Sequence, residues 1–270
     1  MSKKFSLAHL TALELNPAEL TYLAAKIGYD YVSIRPIPVG ADNEPIYKLA
    51  EDKQLLKETK QALESTGLEI LDIEMVRIYD GVDAKEYERH FEVGAELGAK
   101  HVLTTILTDD KFFALEKFIE LCELAKPYGL TIDLEFLTWY NCKTLQEAKE
   151  VLVKANCDNA GILVDTLHFH RSKVQLEELD ACPKEWFHYV HVCDAEALIP
   201  NDTEGLIYTA REARLYPGEG GIDIKGIVDH LPDIPYSLEI PHAKRVNEYG
   251  YEEHARRCLE KAKEYFSKET

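Results

Sequence analysis

The sequence is short of positive charge. Its 270 residues carry 31 Lys and Arg against 49 Asp and Glu, a formal net charge of −18. Nucleic-acid binding draws on clustered Lys and Arg that displace counterions from phosphates, so a chain this acidic is a poor nucleic-acid binder. An anionic membrane surface would repel it for the same reason. Long apolar runs are missing too. No stretch reaches the about 18 residues of a membrane-spanning helix, and residues 1–8 lack an apolar run of signal-peptide length. The six cysteines (Cys122, Cys142, Cys157, Cys182, Cys193 and Cys258) form no C-x-x-C pair and are widely and irregularly spaced. That spacing argues against a zinc knuckle and a disulfide framework, and the expectation is reduced thiols in the cytoplasm. No G-x-G-x-x-G opens the first unit, and the glycines at 218–221 come late, after Pro217, so they read as a turn rather than a nucleotide cradle. No linker rich in Ser, Pro or Gly divides the chain.

What is present is a regular alternation. Hydrophobic residues at 46% suffice for a large core, so the charge is not a sign of disorder. β-rich runs at 5–10, 31–35, 69–76, 100–106, 130–136, 161–165, 188–193 and 236–240 alternate with helical patterns. The helices are expected at 17–28, 51–65, 84–97, 111–127, 145–155, 176–180 and 251–266. Asn16-Pro17 is a good helix start and Gly28 a good stop. Eight strand–helix units of roughly 34 residues match the βαβ step, and eight of them fit a single-domain (β/α)8 TIM barrel of ~250 residues spanning 1–270. A doubly wound sheet is the alternative. The longest irregular segment, 195–221, is of a length that usually has a function such as a lid.

In a (β/α)8 barrel the chemistry sits where strands end. The last four strands end in polar residues after apolar runs: Glu135, Asp165, His191 and Glu239. Adjacent strands lie ~4.8 Å apart, so four such side chains at one level can converge on one ion. Three bare carboxylates would repel one another, and a divalent cation brings the −3 to about −1. The mixed oxygen and nitrogen set suits Mn²⁺, Co²⁺, Mg²⁺ or Zn²⁺. The alternative is that each residue caps its own strand or pairs with a nearby Lys or Arg. Around the quartet, His168 lies three residues past Asp165 and is a fifth ligand or a substrate donor. His170 follows it. Arg35, Arg77, Arg214 and His9 are candidates to contact a polyhydroxyl or anionic substrate, with salt bridges between loops the competing reading for the arginines. Trp139 and Tyr140 could wall the pocket or simply pack.

The segments Leu134-Glu135-Phe136, Val164-Asp165-Thr-Leu-His168, His191-Val-Cys-Asp194, Arg214 to Asp223 and Leu238-Glu239 resemble the xylose isomerase-like TIM barrels. The resemblance covers essentially the whole chain. It implies that Glu135, Asp165, His191 and Glu239 are the ligands of one divalent metal, that Glu135 and Glu239 are also the catalytic acid/base pair, and that His168 contacts substrate. Arg214 falls roughly where the epimerase branch has a substrate arginine. The endonuclease branch carries extra histidines at strands three and four and a D-x-H after strand seven. Here those places hold Val76-Arg77, Thr104-Thr105 and Asp194-Ala-Glu196, so only one metal site is implied. The dehydroshikimate dehydratases carry a His two residues after the strand-five Glu, where this chain has Leu137. The expected activity is therefore isomerisation or epimerisation of a small polyhydroxylated ketone: a ketose, a ketose phosphate or a keto-inositol. The alternative is a dehydratase in the same barrel, acting on a keto-inositol or a dehydroshikimate-like substrate. No nucleic-acid or membrane partner is expected, and a homo-oligomer is implied by the resemblance alone.

Overall fold

The helix starts follow local rules. The Asn16 side chain accepts from the N–H groups of Ala18 and Glu19, Glu19 reaches back to the Asn16 N–H, and Pro17 takes the first position of α1 (Pro17–Ile27). Asp52, Asp110 and Thr144 cap α2 (Lys53–Thr66), α4 (Lys111–Ala125) and α5 (Leu145–Ala155) in the same way. A further outer helix, α3 (Glu88–Glu96), follows a 3-10 turn. These helices alternate with eight strands: β1 (Phe5–Leu7), β2 (Tyr31–Ile34), β3 (Glu69–Ile78), β4 (His101–Ile106), β5 (Thr131–Glu135), β6 (Ala160–Asp165), β7 (Val190–Val192) and β8 (Tyr236–Leu238). The computed structural model describes residues 3–39 and 44–268. In it all eight strands are parallel and close in sequence order, β8 pairing with β1. This is the expected single-domain (β/α)8 barrel. Among the described residues no helix is long and apolar enough to cross a membrane.

Strand alternation splits the core in two. Outward residues such as Ile34, Ile73, Val102, Ile132, Ile162 and Val192 pack under the helices in one large cluster with Phe91 and Phe118. A smaller cluster of Leu71, Leu103, Leu163 and Tyr189 fills the barrel interior. Above it lies a buried polar layer. Ser33 donates to Asp72 and its hydroxyl lies 2.9 Å from that of Ser6 and 3.4 Å from that of Ser237. The interior thus turns from apolar to polar toward the strand C-termini, where the expected site lies.

The loops and late helices depart from expectation. Asp165 ends β6 and also caps a short helix, α6 (Thr166–Arg171), before the expected α7 (Leu176–Asp180). The segment 195–221 contains α8 (Thr203–Glu212), and α9 (Ile224–Asp229) precedes β8. The last helix, α10 (Ala243–Ser267), begins earlier than expected and is interrupted at Gly250, whose φ of 80° is left-handed. Of the loop 36–45, residues 40–43 lie outside the described residues.

Candidate metal centre and active site

Glu135 and Asp165 are the last residues of their strands, His191 is the middle residue of β7, and Glu239 follows β8 directly. Parallel register puts Asp165 beside His191 and His191 beside Ser237. All four side chains are buried. From His191 Nδ1 the distances are 3.4 Å to Glu239 Oε2, 3.8 Å to Glu135 Oε1 and 3.9 Å to Asp165 Oδ2. Ligand atoms of Glu135, Asp165 and His191 all lie within 4.8 Å of one another. The convergence read from the strand ends is present in the tertiary structure.

The electrostatics are those of a crowded buried acid cluster. Burial, with the neighbouring charges of Asp165 and Glu239, pushes the Glu135 carboxyl well above the usual carboxylate range. Burial alone would also raise Glu239, but His191 and Arg214 outweigh it and hold that carboxyl well below its usual value. His191 is raised to about 10, because Glu239, Glu135 and Asp165 together outweigh its own desolvation. Glu135 Oε1 and both ring nitrogens of His191 are buried without a hydrogen-bond partner. Orphaned polar atoms of that kind need an explanation. The residues present fit a divalent ion: three carboxylates and one imidazole, with ligand atoms of Glu135, Asp165 and His191 within 4.8 Å of one another.

Arg214 enters this cluster directly. Its Nη1 donates to Asp165 Oδ2 at 2.6 Å, its Nη2 lies 2.8 Å from Glu239 Oε2, and its Nε donates to the Ala210 carbonyl at 2.7 Å. The guanidinium comes from the long β7–β8 connection, just past α8. Asp194 fixes that connection. Its carboxylate accepts N–H bonds from Ala195, Gly218, Gly220 and Ile222 at 2.8–3.0 Å, and its main chain pairs with Leu215. Gly220 is required there, since a Cβ would lie 2.5 Å from Asp194 Oδ1 and closer still to the Ala195 carbonyl oxygen.

Glu135 and Glu239 open on a cavity of ≈ 390 Å³ whose lining also includes His168, Arg214, Arg35 and Trp139. His168 is nearly fully buried, with Nδ1 unpartnered, and its ring meets Trp139 edge-on at 5.0 Å. Burial lowers its pKa to about 4, so the ring is neutral at pH 7. Tyr140 and Leu137 also line the cavity.

Two substrate-contact expectations are corrected. His9 does not line the cavity. Its Nδ1 accepts the Arg35 N–H at 2.7 Å, its Nε2 donates to the Leu15 carbonyl at 2.8 Å, and its ring stacks on Tyr47 at 5.8 Å. With both nitrogens engaged and no exposed surface, it braces the end of β2. Arg77 does not line the cavity either; its main chain is bonded on both sides to the Tyr87 hydroxyl in the outer layer. Arg35 does line it, but its guanidinium is held by Glu74 at 2.9 and 3.1 Å and by Glu44 at 3.3 Å. His170 lies 2.7 Å from the Arg171 guanidinium and outside this cavity. Sequence reasoning missed Asp72 and Glu74, buried beneath the site, whose oxygens come within 4.8 Å of His191. Acidic residues in alternate positions of a strand were the available signal. It also missed Met75 from β3 and Ile207, Ala210 and Arg211 from α8, all lining the cavity.

The model of the xylose isomerase-like TIM barrel family matches residues 22–262. The chain belongs to that family. Its relatives include the inosose isomerase of Bacillus licheniformis, 27% identical over 229 residues and covering 78% of each chain. The 3-dehydroshikimate dehydratase of Pseudomonas aeruginosa is 25% identical over 185 residues, covering 64% of this chain and 28% of that one. Among solved structures, the IolI protein with a binding zinc atom superposes with a TM-score of 0.81 at 23% identity, covering 98% of both chains. At that identity the superposition establishes the shared fold.

Proposed function

We propose that this chain is a divalent-metal-dependent isomerase or epimerase of a small polyhydroxylated ketone, with a keto-inositol as the leading substrate class. The observation that carries it is the convergence of Glu135, Asp165 and Glu239 on His191, with orphaned ligand atoms, beside a cavity that Glu135 and Glu239 line. The similarity to an inosose isomerase supports the substrate class, and the zinc in the superposable IolI structure supports a single divalent ion.

An ion held by these four residues would supply Lewis acidity toward a bound ketone, making the neighbouring C–H acidic. The rest is the work of the chain. Glu135 and Glu239 reach the cavity from β5 and β8, so they flank a substrate from two sides. One removes the proton next to the carbonyl, and the other returns a proton to the adjacent carbon or to the opposite face. His168, neutral and unpartnered at Nδ1, offers a hydrogen bond to a substrate hydroxyl or carbonyl. Trp139 and Tyr140 wall the cavity and exclude water. Arg35 acts mainly by holding the buried Glu74 and, at the cavity wall, Glu44. Asp165 and Glu239 share the Arg214 guanidinium instead of splaying onto separate arginines, which favours a working site over a catalytically silent barrel. We also place the protein in the cytoplasm, a reading supported by six cysteines that are all free thiols.

The test is proton NMR of the metal-loaded protein with keto-inositols and ketoses in D₂O. Deuterium entering beside the carbonyl, with a new ketone isomer, is expected. A vinylic proton would instead reveal dehydration, the activity of the more distant relative. Absence of exchange across the whole panel would overturn the reading.

A further inference from the structure

A second group of ligand-type side chains lies at the opposite end of the barrel. His101 opens β4, Asp133 sits inside β5 and His188 lies two residues before β7. Their ligand atoms all lie within 4.8 Å of one another. Asp133 is almost fully buried, and the two imidazoles are about one-fifth exposed. His188 Nδ1 donates to Asp133 Oδ1 at 2.5 Å, and His101 Nδ1 lies 3.7 Å from Asp133 Oδ2. The two rings are parallel, 5.0 Å apart with an interplanar angle of 11°. Thr131 Oγ1 bridges Asp133 and His101, donating to Asp133 Oδ2 at 2.5 Å and standing 2.8 Å from His101 Nδ1.

The sequence makes room for this cluster. Strand β6 runs between β5 and β7, and its residue facing the cluster is Gly161. A Cβ there would overlap Asp133 Oδ1 and lie 2.6 Å from His188 Nδ1. The glycine lets His188 reach across a whole strand to Asp133. The cluster is also connected to the upper site. Tyr189 stacks on His101 at 5.4 Å and meets His191 edge-on at 5.7 Å. Four rings, His188, His101, Tyr189 and His191, therefore form a column through the barrel.

We propose that His101, Asp133 and His188 form a second divalent-cation site, structural in role, that ties the N-terminal ends of β4, β5 and β7. Two imidazoles and one carboxylate select a borderline transition ion such as Zn²⁺ or Co²⁺ over Mg²⁺ or Ca²⁺. Three protein ligands leave a fourth position for Thr131 or water. Two stacked rings this close cannot both hold a proton without repulsion, whereas neutral rings can both face a cation. Burial lowers His101 to about 4, keeping that ring neutral. Metal binding needs deprotonated ligands, so it weakens as pH falls. The partial exposure of both rings gives the ion a way in from solvent.

Equilibrium dialysis against Co²⁺ at neutral pH, followed by metal analysis and visible absorption, tests this. H101Q/H188Q should bind one equivalent fewer than the unmodified chain and lose the corresponding absorption. Equal stoichiometry in the two proteins would overturn the proposal. A second variant guards against failure to fold. D165N/H191Q, impaired at the upper site, should still retain one equivalent, and retention of none would overturn the proposal as well. Neither comparison depends on the isomerase reading.

Discussion

Arg214 Nη1 lies 2.6 Å from Asp165 Oδ2, so a guanidinium from the β7–β8 connection contacts a carboxylate that closes β6. The same guanidinium is 2.8 Å from Glu239. A fixed cation therefore stands beside the carboxylates of the candidate metal centre and offsets part of their repulsion. This relationship gives the first prediction.

Replacing Arg214 by Met should cost roughly 3–5 kcal/mol in chelator-treated protein, because it leaves buried carboxylates unpaired. Excess Zn²⁺ or Mn²⁺ should narrow the difference, since an ion bound only to the folded state adds stability by mass action. Thermal unfolding of both proteins with and without metal measures this. An equal gap under the two conditions would show that Arg214 does not balance the site.

Glu135→Gln and Glu239→Gln should each lower turnover by at least ~10²-fold, the usual size of a lost general acid or base. Near-normal rates in either variant, in an assay that works for the parent, would exclude proton transfer by that residue.

His168→Gln should reduce turnover while leaving bound metal unchanged, because His168 lines the cavity yet stands outside the quartet. A fall of ~10²-fold is expected where the imidazole shares in proton movement. Metal content measured on the same samples separates loss of substrate contact from loss of the ion.

Asp194→Asn should destabilise the fold by roughly 3 kcal/mol, since an amide NH₂ would face backbone donors that the carboxylate now satisfies. Leu215, paired to Asp194, would loosen with its neighbour Arg214, and KM should rise. Denaturant midpoints and steady-state kinetics would record the two effects together. A stability loss without any change in KM would separate the loop from the site.

The buried neutral histidines should contribute a loss of stability as pH drops from about 6.5 toward 4. His9 is held to about 3 and His254 to about 4, both mainly by burial. Between those values and about 6.5 the unfolded chain binds protons that the folded chain does not, so stability rises with pH, by up to roughly 1.4 kcal/mol per pH unit for each histidine. His188, raised by Asp133, acts in the opposite sense: its contribution is full below the unfolded value and is lost as pH rises through its folded one. Denaturant unfolding at pH 7, 5.5 and 4.5, with His9→Gln as a control of shallower slope, tests the balance.

The barrel and the quartet were legible because both follow from position along the chain. Alternating patterns of period 2 and 3.6 specify the order of elements, and in a closed parallel sheet that order decides which residues become strand ends. Glu135, Asp165, His191 and Glu239 could be named without coordinates for that reason. His9 could not be placed, because a strand-end histidine is able either to face the cavity or to bond to the main chain, and it does the latter with both nitrogens. Arg77 was equally ambiguous. The helix α6 stayed hidden because Asp165, read only as a ligand, also caps a helix too short to show a period. Asp72 and Glu74 were hidden by lying below the strand ends.

The amino-acid sequence by itself determined the (β/α)8 fold, the strand ends that carry carboxylates and an imidazole, and the poverty of basic charge that speaks against nucleic acid. Only the tertiary structure decided what those groups face. Arg214 meets Asp165 because α8 folds a connection read as irregular back over the barrel mouth. His188 meets Asp133 because Gly161 vacates the strand between them. Both contacts join residues far apart in the chain, and each depends on a space or a fold-back that local periodicity does not encode.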